Sequence, residues 1–147
     1  MKNNDYQLTL TLSQSPTEVY DAINNTRGWW SGEIVGDTDQ LGAEFTYQVA
    51  GVHFTRQKVT ELVRAKKIVW QVTEAKIDFV QNTGEWKGTD IVFELERKGD
   101  KTELRFTHRG LSPTYECYDN CSSAWSTLIN GNLRRLIETG EPQPSPW

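Results

Sequence analysis

Basic charge, cysteine and long apolar runs are all scarce in this sequence of 147 residues. Sixteen Lys and Arg stand against 20 Asp and Glu, for a net charge of -4 and an isoelectric point near 5.2. Nonspecific nucleic-acid binding needs a basic face that neutralises phosphates. The densest basic runs are only Lys66–Lys67 and Arg134–Arg135, so no nucleic-acid partner is expected. Two cysteines, Cys117 and Cys121, are too few for a disulfide framework. No stretch approaches the roughly 18 apolar residues of a membrane span. The opening Met1–Asp5 leads into an alternating segment, without the apolar centre of a secretory signal. The expected location is therefore cytoplasmic, and the glycosylation-like tripeptides at Asn24 and Asn120 carry no weight. A (β/α)8 barrel, at about 250 residues, does not fit the length.

Aromatic residues, by contrast, are plentiful: six Trp, five Tyr and five Phe. A disordered chain is poor in such residues, so one folded domain is expected. Residues 6–12 alternate, with Tyr6, Leu8, Leu10 and Leu12 on one face of a half-buried strand. Ser15-Pro16-Thr17-Glu18 opens a helix, with Ser15 as cap and Glu18 three residues later. Val19, Ala22 and Ile23 form its buried stripe. Strand patterns follow at 33–49, 52–63 and from Ile68 to about Ile77, where Ile68, Trp70 and Val72 share a face. Residues 78–87 form a loop, with Asn82-Thr83-Gly84 as its turn. A hairpin connects Ile91, Phe93 and Leu95 to Leu104, Phe106 and His108 through Lys98-Gly99-Asp100-Lys101.

Thr114 to Glu138 holds no proline and places Cys117, Cys121, Trp125, Leu128, Ile129, Asn132 and Leu136 on one side of a helical wheel. Gly131 within it suggests close packing, and Gly140 is a natural stop. Pro142, Pro144 and Pro146 then mark an extended tail. The order predicts an α+β fold: one curved antiparallel sheet, wet on its outer face, with a long C-terminal helix covering the inner one. Such a sheet can leave a cavity beneath the helix, where a small apolar ligand sits.

Several segments together resemble the START-like (SRPBCC) superfamily, and within it the group related to the activator of the Hsp90 ATPase. They are Ser15–Ile23, Trp29-Trp30, Lys58–Leu62, Lys67–Trp70, Gly88–Leu95, Thr102–Gly110, Ser123-Ala124-Trp125 and Leu133–Glu138. The resemblance implies a helix-grip fold over residues 1–140 as a single domain, with 141–147 as a Pro-rich tail. It also implies a sheet-to-helix cavity in many members, a co-chaperone role in others, cyclase-like chemistry in some, and frequent dimers. The superfamily has no universal catalytic motif, so no catalytic residue is assigned.

The cavity candidates are Trp30, Trp70, Trp86 and Trp125, a wall of Phe45, Tyr47, Phe54, Phe93 and Phe106, and His108 with Cys117 and Cys121. Tyr47, His108 and Asn132 would supply polar points. Trp70, Trp86 and Trp125 serve equally well as simple core, and Cys117 and Cys121, once buried, act first as small hydrophobes. The cysteine pair could give half a zinc site, but His53 and His108 are the only histidines and the closed Cys/His pattern is missing. No metal, cofactor or phosphate-binding loop is expected. His108 has a near-neutral ionisation range but no nucleophile or carboxylate at a diagnostic spacing. The leading expectation is a binder of a small apolar or aromatic ligand. The rivals are a protein-interaction module, which an exposed aromatic patch at Trp29–Trp30 would favour, and a cyclase- or hydrolase-like enzyme acting on apolar cyclic substrates.

Overall fold

The computed structural model describes residues 6–30, 33–49, 53–77, 87–109, 122–123 and 125–141. Seven strands are present among them: β1 (Tyr6–Leu12), β2 (Glu33–Gly36), β3 (Glu44–Val49), β4 (His53–Val63), β5 (Lys67–Ile77), β6 (Asp90–Lys98) and β7 (Lys101–Arg109). They form one antiparallel sheet in the order β1-β7-β6-β5-β4-β3-β2. Helix α1 (Pro16–Asn24) joins β1 to a short 3-10 turn at Thr26–Gly28. The C-terminal helix includes a π-helical stretch, Thr127–Leu133, and a regular α-helical end, α2 (Arg134–Thr139). This is the α+β sheet-and-helix order that the patterning predicts and the helix-grip architecture that the family resemblance implies.

The local chemistry explains the elements. Ser15 Oγ accepts from the Glu18 amide and Glu18 Oε1 accepts from the Ser15 amide, both at 3.2 Å, which closes the α1 capping box. Val19, Tyr20 and Ile23 are the face that α1 buries. Gly140, at φ 76°, ends α2 in the left-handed conformation. At Gly36, φ is 108° and an added Cβ would come within 2.5 Å of the Glu44 carbonyl oxygen. Only glycine lets β2 end so close to β3.

The inner face is ordered in rows of directly paired residues. One row runs Val59, Trp70, Ile91, His108, Tyr6. On one side of it lie Phe45, Gln57 and Val72. On the other lie Leu62, Ile68, Phe93, Phe106 and Leu8, followed by Leu95, Leu104 and Leu10. Helix α1 and the C-terminal helix add Val19, Ile23, Trp125, Ile129, Leu133 and Leu136 to the same core. Pairing between β4 and β5 shifts twice, at Arg56/Gln57 and at Val59/Glu61. These irregularities bracket Gln57–Val59 and turn the strand locally.

Three expectations need correction. The outer face is not wet throughout, because the paired Val69 and Val92 are buried there, as is Thr107 opposite Val92. They sit between rows of long charged side chains, including Arg109–Asp90 at 3.3 Å and Arg105–Glu103 at 3.2 Å, whose stems shelter the sheet centre. The C-terminal helix is not uniformly α-helical. Its buried residues recur at four-residue steps, 125-129-133-137 and 128-132-136, a spacing wider than 3.6 and suited to a π stretch. Gly131 does not mark close packing either, since nothing lies within 4 Å of where its Cβ would stand.

Candidate functional site

The interior beneath the helix is a stack of aromatic rings. Trp30 lies parallel to Tyr47 at 4.1 Å between ring centres and to Trp70 at 5.8 Å. Trp70 meets Phe45 and Phe93 edge to face at 5.1 and 5.0 Å. Phe106 reaches Trp125 at 4.8 Å, and Trp125 reaches Trp30 at 5.3 Å. Such contacts add to the area term of burial. Trp30, Phe45, Tyr47, Trp70, Phe93, Phe106, His108 and Trp125 are therefore brought together, all of them buried. Phe54 is not among them. Thr55, Gln57 and Val59 take the inward positions of β4, so Phe54 falls on the opposite face, half-buried, opposite Gln48. Trp86, Cys117 and Cys121 lie outside the described residues, as do the turn at 82–84 and the 142–147 part of the tail. Trp29 and Trp30 are 1% and 2% exposed, so they supply no surface aromatic patch.

Polar groups concentrate at one end of this interior. His108, wholly buried on β7, accepts at Nδ1 from the Trp125 indole Nε1–H at 3.0 Å. An indole nitrogen only donates, so the imidazole proton sits on Nε2, 2.8 Å from Thr89 Oγ1. His108 thus ties β7, the residue leading into β6 and the C-terminal helix together as a neutral ring. A general base needs a reach to a substrate proton, and here both ring nitrogens are engaged by protein. Asn132 Nδ2 donates to the Trp29 carbonyl at 3.2 Å, and Trp29 Nε1 donates to the Ile23 carbonyl at 3.1 Å. These two bonds pin the Trp29–Trp30 turn between the helices.

Gln57 and Trp70 are completely buried, and the Gln57 amide donates to Thr55 Oγ1. Four buried side-chain polar atoms have no hydrogen-bond partner among the described residues: Gln14 Oε1, Asn24 Oδ1, and, within the aromatic interior, Gln57 Oε1 and Trp70 Nε1. Each such group costs roughly 1–3 kcal/mol of desolvation when left unpaired. Sequence patterning misses Gln57, Thr55 and Thr89, because polar residues in an alternating strand read as the wet face. The one available signal is the two-residue parity linking Thr55 and Gln57 to Val59.

At the surface, a groove of about 600 Å3 is lined by Tyr20, Asp21, Asn24, Asn25, Asp37, Thr38, Asp39 and Arg64. Arg64 lies 5.9 Å over the Tyr20 ring and 3.9 Å from the Asp21 carboxylate. Among the described residues no group of three or more His, Cys, Asp or Glu is placed to hold a metal. No helix among them is long and apolar enough to cross a membrane.

The sequence model of the activator of Hsp90 ATPase homolog 1-like proteins matches residues 13–138. The chain belongs to this family. No curated protein matches the sequence. Among solved structures, the Aha1 dimer from Colwellia psychrerythraea is similar at 26% identity, over 92% of this chain and 97% of that one, with a TM-score of 0.74. A Mesorhizobium loti protein is 14% identical over 90% of this chain and 97% of its own, with a TM-score of 0.70. A Chromobacterium violaceum protein is 18% identical over 92% and 97%, with a TM-score of 0.66. The latter two likenesses show the fold alone. In this AHSA1-like chain, Trp30 packs against both Trp70 and Trp125 inside the helix-grip frame.

Proposed function

We propose that this AHSA1-like chain is a protein-interaction module of the co-chaperone kind, acting on an ATPase of the Hsp90 class through its outer surface. The observation that carries the reading is the likeness to the Aha1 dimer, which spans nearly the whole of both chains. The burial of Trp29 and Trp30, at 1% and 2% exposure, leaves any partner surface to other residues of the chain. A specific partner interface would bury at least about 1,000 Å2 in total. The test is ATP turnover by a purified Hsp90-type chaperone titrated with this chain, alongside calorimetric binding. Saturable binding with a changed turnover is expected. No binding at about 100 μM chain, where even a Kd near 10 μM would be evident, overturns the reading. Sedimentation of the free chain tests the self-association that the Aha1 dimer suggests, and a homodimer is expected.

The ligand-binding reading is the second one, favoured by a single observation. Two buried polar atoms, Gln57 Oε1 and Trp70 Nε1, stand unpartnered in an aromatic wall, an arrangement suited to orienting a small amphipathic molecule. Native mass spectrometry of gently purified protein tests it. A discrete added mass that disappears on denaturation is expected, and a bare chain mass counts against a tightly held ligand.

A further inference from the structure

Gln57 and Trp70 occupy adjacent strands on the same inner face. Gln57 pairs with Val72 and Trp70 pairs with Val59, so the two are diagonal cross-strand neighbours. Diagonal positions stand about 7–8 Å apart at the backbone, within mutual reach of long side chains. One carries an unpartnered acceptor and the other an unpartnered donor, and both side chains are fully buried. Because Thr55 Oγ1 already takes the Gln57 amide N–H, the carbonyl oxygen is the atom left over. Two shifts of the β4–β5 register bracket Gln57–Val59 and set that stretch apart from regular pairing.

We infer that Trp70 Nε1–H and Gln57 Oε1 together form an internal receptor for one hydroxyl oxygen. Its occupant accepts from the indole and donates to the amide carbonyl. A hydroxyl does both at once, whereas a carbonyl oxygen or an ammonium offers only one of the two roles. The surroundings exclude a charge: Phe45 and Val72 flank Gln57 in the same row, and Trp30 stacks on Trp70 at 5.8 Å. The hydroxyl comes either from an ordered internal water or from a small alcohol or phenol, and the chemistry of the position is the same for both. This inference rests on the ligand-binding reading, which names the same two atoms, and is independent of the proposed chaperone binding through the outer surface.

The test is nuclear magnetic resonance on the full chain with 15N-labelled indoles, using water itself and phenol as probes and toluene as the control without a hydroxyl. The Trp70 indole proton is expected to show a cross-peak to long-lived water, or to shift with phenol at least about tenfold more tightly than with toluene, the tenfold being about 1.4 kcal/mol. A water cross-peak that phenol does not displace identifies internal water as the occupant. One that phenol displaces identifies a ligand hydroxyl. Gln57→Leu is expected to abolish the response while the other indole signals stay in place. Gln57→Met, closer in shape, repeats the test if the leucine variant does not fold. A Trp70 indole proton with neither a water contact nor a phenol response overturns the inference. So does a response unchanged in a folded Gln57 variant. The measurement needs no partner protein, so its failure is distinct from a failure of chaperone binding.

Discussion

The two ends of the inner sheet face are built on different rules. At the end covered by α1, the row Leu95, Leu104, Leu10 is aliphatic, and the polar group beside it, Thr102 Oγ1, donates to the Gln14 carbonyl at 2.7 Å. At the opposite end, Thr55, Gln57, Thr89 and His108 sit among aromatic rings, all of them buried. The first end stabilises by removing area from water, at roughly 25 cal/mol per Å2. The second carries groups whose value depends on partners, and two atoms there, Gln57 Oε1 and Trp70 Nε1, have none among the described residues, against one, Gln14 Oε1, at the first end. A fold that wanted only stability would continue the aliphatic pattern across. The difference teaches that the polar end holds geometry that packing alone does not require.

That contrast can be broken by substitution. Leu104 is wholly buried in the aliphatic row, so Leu104→Ala is expected to cost about 2–5 kcal/mol, the range for a buried leucine that leaves a cavity. Denaturant melts measure the loss, and the Trp70 indole signal should remain near its native position. His108→Leu removes the acceptor of the Trp125 indole at 3.0 Å. About 1–3 kcal/mol is expected, with a changed near-ultraviolet tryptophan signature. If His108→Leu costs more than Leu104→Ala, the polar end is the main source of stability and the division fails. Ser15→Ala opens the capping box of the helix that closes the aliphatic end. A loss of about 1 kcal/mol is expected in thermal unfolding, with the interior signals untouched. Gly131→Ala meets open space within 4 Å. It is expected to stabilise by about 0.4–1 kcal/mol, chiefly through the unfolded chain. A destabilised Gly131→Ala would show instead that the π stretch depends on glycine.

Much of this fold is legible because alternation and capping are local. Ser15 and Glu18 announce α1 from four residues, and Lys98–Lys101 announces the β6–β7 hairpin. Ile91, Phe93 and Leu95 face inward as their spacing predicts. The site is less legible because it depends on parity across irregular pairing. Phe54 reads as wall on apolarity alone, yet Thr55 and Gln57 take the inward positions. The π stretch is hidden as well. Its four-residue steps stay close enough to an α-helical stripe that composition cannot separate them, and only tertiary fit against the sheet decides.

The π stretch has one more consequence. A helix wound more loosely than its neighbours carries about one residue more than a regular helix of the same rise. Thr127–Leu133 is thus a place where the chain keeps spare length, directly before the two turns that anchor Leu136 and Ile137. Losing a single residue there would tighten the coil to ordinary winding and leave those anchors in phase. Losing one from β7, where every position from Thr102 to His108 is paired on both sides, would turn the rest of the strand inside out. Length change in this chain is tolerable in the helix that closes the fold and forbidden in the strand beneath it.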